Sequence, residues 1–359
     1  SDREEVAWVR QYVSSEQSAN RPLRTIAVLY RTNAQSRLIE EEFLRYKVPY
    51  TIIGGFRFYE RREVKDALSL LQLYTNPQSR IAFDRIADAL LERVGPKTID
   101  RWQAAADAAQ TSLLAHVCRL ATERSQLRPL AKAFGSRHTD DSVAGILRHL
   151  LSATGYTKWL ATLPDGEERL ENIEELLNVA SAYETVADFL EEAALLSDID
   201  ETGNKDSVQC MTLHAAKGLE FDTVFIIGCE EELLPHVNSL DDAISIEEER
   251  RLLYVGMTRA RKSLHLLHAA TRYQAGSLVG RLPSQFLDSI SSAVRDTAGP
   301  ETDDSFSHDL NLQYANQGEF VQHPQFGRGV VIATSDNNLT CVFEGYGVKT
   351  ISGAEIVLQ

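Results

Sequence analysis

The sequence is poor in cysteine and has no long apolar run. Its four cysteines, Cys118, Cys210, Cys229 and Cys341, are scattered and form no CxxC pair. We therefore expect buried free thiols in a reducing cytoplasm and no disulfide framework or metal site. No run approaches the roughly 20 apolar residues that a transmembrane helix needs. The opening Ser-Asp-Arg-Glu-Glu is not a signal peptide, so we expect no membrane partner.

Positive charge is also scarce, since the formal net charge is −15. This balance argues against a protein that simply coats nucleic acid, because phosphate binding usually leaves a basic footprint. Arginines do cluster at 57–62 and 250–262, which is enough for a narrow cleft with local positive potential. A further absence is the Gly-x-x-x-x-Gly-Lys-Ser/Thr loop, so the sequence carries no phosphate-cradling P-loop.

Three apolar runs between 208 and 267 have the pattern of buried parallel strands. They are Val208–Leu213, Thr223–Gly228 and Leu264–Leu267, and polar residues follow them. Ligands of an open α/β sheet bind at the carboxyl ends of its strands. The pattern therefore predicts a binding edge, although an ordinary α/β surface with a charged helix remains the alternative on spacing alone.

Two long motifs decide between these interpretations. The first is Met211-Thr-Leu-His-Ala-Ala-Lys-Gly-Leu-Glu-Phe221, and the second is Glu247-Glu-Glu-Arg-Arg-Leu-Leu-Tyr-Val-Gly-Met-Thr-Arg-Ala260. They closely resemble motifs V and VI of the superfamily 1 DNA helicases of the UvrD/PcrA/Rep family, in the same order. The sequence is therefore identified as a member of that family.

The first part of the chain agrees with this identification. Thr25–Tyr30 and Val48–Ile53 are predicted strands with a helix between them, which is a βαβ unit. Tyr30–Arg37 resembles the family's motif IVa, and Gly54–Asp66 resembles motif IVb. For the charged residues of 60–66, the alternative is that they only complement the dipole of a helix start.

The fold class expected from the pattern and the resemblance is α/β. A RecA-like parallel-sheet domain would be interrupted by an all-α accessory subdomain and followed by a small SH3/Tudor-like β-barrel. The domains would be 1–75 and 205–293 for the two parts of the RecA-like domain, 76–204 for the helical subdomain, 294–318 for an acidic linker and 319–359 for the barrel.

The resemblance implies an ATP site that this chain only partly forms. Arg259 matches the motif VI arginine finger and is the predicted catalytic residue. Glu220 matches the motif V acid that contacts the ribose of ATP, and Gly218 allows close backbone approach there. The expected cofactor is ATP with Mg²⁺, whose metal would be held mainly by an N-terminal half that lies outside this sequence.

The resemblance also implies a track for single-stranded DNA and contact with duplex junctions. Five residues match positions that touch the strand in this family: Arg31, Asn33, Thr212, His214 and His236. For His214 the alternative is a satisfied core histidine. Family members often have an aromatic residue where this chain has Ala275, so the usual stacking surface for a base is absent at this position. Tyr273 is the alternative residue for base stacking on this half.

The function implied is that of the C-terminal half of an ATP-dependent 3′-to-5′ DNA helicase in DNA repair or replication, cytoplasmic and nucleoid-associated. Residues 319–359 would dock RNA polymerase or repair proteins, with Phe326, Arg328, Phe343 and Tyr346 as the contact surface; an inert cap is the alternative. A non-enzymatic docking module is the rival function. A nuclease-linked subunit of RecB or AddA type is disfavoured, because no nuclease carboxylate cluster is visible.

The missing P-loop generates the first prediction. Residues 1–359 alone should show no DNA-stimulated ATP hydrolysis, because the sequence has no P-loop to cradle the phosphates. Phosphate release should be measured with and without single-stranded DNA. Robust turnover by a preparation free of contaminating ATPases would contradict the expectation.

Overall fold

The computed structural model describes residues 1–91, 93–135, 142–197, 206–274, 277–288 and 290, and five strands between 320 and 358. The chain divides into two compact units. The first comprises Ser1–Gly55 and Thr202–Gln359, and the second comprises Phe56–Glu201.

Residues 1–55 alternate helices with strands, as the sequence pattern predicts. The elements are α1 (Asp2–Ser18), β1 (Ile26–Tyr30), α2 (Ser36–Arg45) and β2 (Tyr50–Ile52). A capping box starts α1, in which the Ser1 side chain accepts from the Glu4 N–H and the Glu4 carboxylate reaches back. On α2, Ile39 and Phe43 are buried, whereas Tyr46, directly after the helix, is exposed and has the Arg10 guanidinium over its ring.

Among its described residues the second unit contains helices and no strand, and it has a hydrophobic core of its own. Its helices are α3 (Arg62–Thr75), α4 (Arg80–Leu90), α5 (Pro96–Ala108), α6 (Leu113–Leu120), α7 (Arg128–Gly135), α8 (Val143–Thr154), α9 (Tyr156–Leu160), α10 (Gly166–Ala180) and α11 (Val186–Ser197). Five amphipathic stretches of the sequence, at 81–91, 98–109, 142–153, 169–183 and 186–196, predict helices and correspond to α4, α5, α8, α10 and α11. The sequence pattern does not predict α6, α7 and α9. No helix in the described ranges is long and apolar enough to span a lipid bilayer.

The boundary between the units falls before α3, whereas the sequence pattern predicts α3 as part of the α/β domain. The physical reason is burial: Leu70, Leu71 and Leu73 of α3 are completely inaccessible and belong to the helical core. Two acidic side chains of the motif IVb run are buried there as well. Glu63 accepts from Asn172 and Arg169 at 2.7 Å each, and Asp66 accepts from Tyr156 at 2.8 Å and pairs with Arg85.

The chain returns to the first unit after residue 205. Its next elements are β3 (Val208–Thr212), β4 (Phe221–Ile226), α12 (Ala243–Met257), β5 (Ala260–Leu266), the hairpin of β6 (Thr271–Gln274) and β7 (Ser277–Gly280), and α13 (Gln285–Asp288). Five strands form one parallel sheet in the order β2-β3-β1-β4-β5. The late strand β3 therefore lies between β1 and β2.

Both faces of this sheet are covered, and β1 shows how its residues divide. Val28 and Tyr30 belong to a core with residues of α1 and α2, and Leu29 belongs to a second core with Leu253 of α12. Gly256 lets α12 approach the sheet closely. A Cβ at Gly256 would overlap Cδ2 of Leu213 and lie 3.0 Å from Cδ1 of Ile226.

The tail strands form a separate five-stranded antiparallel sheet. They are β8 (Phe320–His323), β9 (Gly327–Ser335), β10 (Asn338–Phe343), β11 (Gly347–Ser352) and β12 (Val357–Leu358), in the order β11-β10-β9-β8-β12. Arg328 lies on β9 and Phe343 on β10. Phe326, Tyr346 and the predicted linker 294–318 lie outside the described residues, and closure of this sheet into a barrel stays a prediction.

The packing at Gly256 generates the second prediction. Gly256→Ala should lower the free energy of unfolding by about 1–3 kcal/mol, because Leu213 is completely buried and its methyl group has little room to move. Urea unfolding checks this. Gly135→Ala is the matched control, since a Cβ there meets nothing within 4 Å and alanine favours helix. Equal stability of the two variants would contradict the expectation.

Candidate functional site

The five predicted DNA residues lie along one edge of the parallel sheet. Arg31 and Asn33 follow β1, and Thr212 and His214 lie at the end of β3. Tyr30 and Thr212 are register partners of these two adjacent parallel strands, so the residues that follow them emerge side by side. The end of β2 joins the same edge, since a Cβ at Gly55 would lie 3.9 Å from the Asn33 Oδ1.

One carboxylate, that of Glu249 on α12, holds two of these residues. Its Oε1 accepts from Arg31 Nη2 at 2.8 Å, and its Oε2 accepts from Arg31 Nε at 2.9 Å. The same Oε2 accepts the main-chain N–H of His236 at 3.2 Å. Glu249 is 6% exposed, so this is a bidentate, charge-assisted pair shielded from water.

The five side chains differ in their access to solvent. His214 is exposed, Arg31, Asn33 and Thr212 are half-buried, and His236 is buried. Desolvation of the inner part of its ring and the nearby Arg31 guanidinium lower the pKa of His214, while Glu249 acts in the opposite direction. The His214 imidazole is therefore neutral at pH 7 and is able to donate one hydrogen bond and accept another.

The predicted nucleotide residues lie at the opposite, amino-terminal edge of the sheet. Arg259 lies two residues after the end of α12 and directly before β5. Its guanidinium donates to three neutral oxygens: from Nε to the Val255 carbonyl at 2.9 Å, from Nη1 to the Leu219 carbonyl at 3.0 Å and from Nη2 to the Thr258 hydroxyl at 3.0 Å. Within the described chain no carboxylate lies within 4 Å of it. The Arg259 charge is thus held in place without being neutralised.

Glu220 and Gly218 lie beside Arg259 because the main chain joins them. The N–H of Phe221, at the start of β4, donates to the Arg259 carbonyl at 2.9 Å. The exposed Glu220 carboxylate pairs with Arg261 at 3.0 Å through Oε2. Gly218 has φ +89° and open space around it. This left-handed backbone favours glycine, so the chain around Gly218 presents main-chain surface to solvent.

The arrangement fits part of an ATP site. A guanidinium with neutral partners can stabilise phosphate charge, and a carboxylate can accept from a ribose hydroxyl. Among the described residues no group of three or more His, Cys, Asp or Glu side chains could hold a metal ion. The amino-terminal edge therefore offers groups suited to phosphates and to a sugar.

Comparison with known proteins decides which family this arrangement belongs to. A model of the UvrD-like helicase C-terminal domain matches residues 1–271. This chain belongs to the UvrD-like helicase C-terminal domain family. It is 31% identical over 396 residues to the ATP-dependent DNA helicase PcrA of Staphylococcus aureus strain Mu50. The aligned region covers 98% of this chain and 54% of the relative.

A second relative of the UvrD-like family gives the same coverage. The ATP-dependent DNA helicase PcrA of Staphylococcus epidermidis strain ATCC 12228 is 30% identical over 393 residues, again 98% of this chain and 54% of the relative. The chain thus spans about half the length of the curated relatives that it matches. The family assigned from the two motifs is confirmed.

This UvrD-like domain also contains a buried charge cluster that sequence reasoning missed. Arg272 of β6 donates to Glu5 of α1 at 2.7 Å and to Glu230 at 2.5 and 2.7 Å. Glu5 also accepts from the Gly228 N–H, and Glu230 accepts from the Ala269 N–H. The cluster fastens α1 and the hairpin to the carboxyl end of β4.

Glu249 was missed as well, although the sequence carried a signal for it. It lies four residues before Leu253 and seven before Gly256, and all three are buried. This helical period identifies Glu249 as the one residue of the run Glu247-Glu248-Glu249 that faces the core. For Glu5 and Arg272, which are far apart in the chain, no such local signal exists. Tyr273 is 40% exposed on β6, and Ala275 lies outside the described residues.

The charge cluster generates the third prediction. Burial raises the pKa of Glu5 to about 7, Glu230 adds to this, and Arg272 opposes it. The folded protein then keeps this proton up to about pH 7, whereas the unfolded chain releases it near pH 4.5. The stability that Glu5 contributes is therefore present below pH 4.5 and is lost as the pH rises to about 7.

Urea unfolding between pH 4.5 and 8 measures this contribution. Glu5→Gln should flatten the fall in stability over that interval, because the glutamine does not titrate. Glu248→Gln replaces an exposed carboxylate and serves as the control, with the pH profile of the parent protein. An unchanged profile for Glu5→Gln would show that another group is responsible.

Proposed function

We propose that this chain is the second motor half of an ATP-dependent DNA helicase. It would act on single-stranded DNA and duplex junctions, with the 3′-to-5′ polarity that its motifs imply. One observation carries the proposal: the candidate nucleotide residues and the candidate DNA residues lie on opposite edges of one parallel sheet. A motor that converts nucleotide binding into strand movement needs such a connected pair of sites.

In this proposal Arg259 is the arginine finger. A finger from a facing domain stabilises the charge that develops on the transferred phosphoryl group. Arg259 suits that role because its three nitrogens already point at neutral acceptors, so no carboxylate has to be displaced. Its bonds to Val255 and Leu219 hold the guanidinium at the amino edge before nucleotide arrives, which lowers the cost of ordering it.

Glu220 and Gly218 would receive the nucleoside part of the ligand. The Glu220 Oε2 is occupied by Arg261, which orients the carboxylate and leaves Oε1 for a ribose hydroxyl. Bound ATP would supply the phosphoryl group and would bridge this edge to a nucleotide-binding domain that also holds Mg²⁺. The described residues of this chain would position the nucleotide and stabilise the negative charge on its phosphates.

The strand would run along the opposite edge. Sequence-independent grip on single-stranded DNA requires phosphate donors together with stacking surfaces. Arg31, Asn33, Thr212 and His214 are the donors proposed here, and the buried His236 contributes chiefly through the loop that it anchors. The segment 213–220 joins the two edges, because it leaves β3 at one of them and begins β4 at the other.

The remaining parts are assigned by the resemblance. The helical unit, which has its own core, would be the accessory domain that contacts duplex DNA. The tail sheet would dock RNA polymerase or repair proteins. Both assignments belong to the same proposed motor and add no second activity.

The fourth prediction tests the finger. Arg259→Ala in the full-length enzyme should lower kcat for DNA-stimulated ATP hydrolysis by roughly 10³–10⁵-fold, because the lost charge acts mainly on the transition state. DNA binding without nucleotide, measured by fluorescence anisotropy, should change little. Arg251→Ala, an exposed arginine of α12 that pairs with Glu248, is the matched control. Turnover by Arg259→Ala equal to that of the control would place the finger elsewhere.

A further inference from the structure

The Glu249 carboxylate does more than pair with one arginine. It takes up one edge of the Arg31 guanidinium, through Nε and Nη2, and it also accepts the His236 main-chain N–H. The third nitrogen, Arg31 Nη1, has no hydrogen-bond partner among the described residues and is not one of their buried unsatisfied atoms. Glu249 therefore fixes the direction of the Arg31 guanidinium and leaves its Nη1 available for a ligand.

Two further contacts make this arrangement rigid. Gln35 Oε1 accepts the main-chain N–H groups of Arg31 at 3.0 Å and Thr32 at 2.9 Å. The backbone below the guanidinium is thus anchored independently of Glu249. What Glu249 adds is control over the side chain of Arg31 and over the loop that carries His236.

The position of Glu249 on α12 links this edge to the other one. From Glu249 to Met257, the last residue of α12, the helix rises by roughly 12 Å, and Arg259 follows two residues later. Arg259 grips the last turn of that helix through the Val255 carbonyl at 2.9 Å. A force on the Arg259 guanidinium therefore acts on the helix end, and a rigid helix carries it to the Glu249 carboxylate.

We propose that Glu249 is a positioning residue of the DNA track, through which a displacement of Arg259 and α12 changes the placement of Arg31 and of the His236 loop. This inference rests on the proposed function. In this inference the buried Glu249 carboxylate couples the two edges of the sheet. It acts in addition to the segment 213–220, which joins the same edges through the main chain. A bidentate pair suits this task, because a planar guanidinium loses its fixed direction when one of its two bonds is weakened.

The experiment uses the full-length enzyme and a fluorescein-labelled oligothymidylate. The affinity for this probe is measured without nucleotide and with a non-hydrolysable ATP analogue, and the ratio of the two dissociation constants reports the coupling. Glu249→Gln keeps the size of the side chain and removes its charge. We expect it to bring this ratio to within about 2-fold of one and to raise the DNA concentration for half-maximal ATPase about 10-fold, with a smaller effect on kcat.

Arg31→Ala separates the failure of this inference from the failure of the proposed function. If Arg31→Ala leaves DNA affinity unchanged, the DNA track itself is misassigned and the inference falls with it. If Arg31→Ala weakens binding while Glu249→Gln behaves like the exposed control Glu248→Gln, only the inference is overturned. In the Arg31→Ala background, Glu249→Gln should affect DNA affinity much less than in the parent, because only its contact with the His236 loop remains.

Arg31→Lys provides a second route if Glu249→Gln does not fold. It keeps the charge and loses the two-pronged geometry, so we expect DNA affinity within about 3-fold of the parent and a coupling ratio close to one. A parent-like coupling ratio in Arg31→Lys would overturn the inference. A fall in thermal stability of Glu249→Gln with an unchanged coupling ratio would also overturn it, since it would reduce Glu249 to a structural ion pair.

Discussion

The parallel pairing of β1 with both β3 and β4 is the constraint on which the rest of this domain depends. Strands that run in the same direction all end at one edge and all begin at the other, so a connection between two of them must cross the sheet. The segment 213–220 makes that crossing in a few residues, and α12 makes the return from β4 to β5. Each crossing element therefore carries polar groups at both edges.

Close packing keeps these crossing elements in place. Leu213 and Ala216 are completely buried, and Gly256 brings α12 within contact distance of Leu213 and Ile226. The two buried ion clusters act at the carboxyl edge, where Glu249 holds the β1 loop and Arg272 holds α1 and the hairpin. Removing one partner from a buried ion pair lowers the free energy of unfolding by about 3–5 kcal/mol, so the loss of either cluster would destabilise the domain.

The division of the chain shows where pattern reasoning succeeds. Strong helical periodicity predicted α4, α5, α8, α10 and α11 with small differences at the ends. It missed the short helices α6, α7 and α9, whose burial comes from neighbours in the helical core. Helix α3 carries a motif that resembles the α/β domain's sequence signature, yet its leucines pack in the helical core. Its membership was decided by which core buries its apolar side chains.

The sequence by itself determined the family, the α/β class and the residue types at both edges, because motifs and hydrophobic periods are local along the chain. Tertiary structure alone decided that β3 lies between β1 and β2, and that Arg31 and His236 meet at Glu249. It also decided that Glu5, Glu230 and Arg272 form one buried cluster. Those contacts join residues far apart in sequence, and they depend on strand order and burial, which a local pattern does not encode.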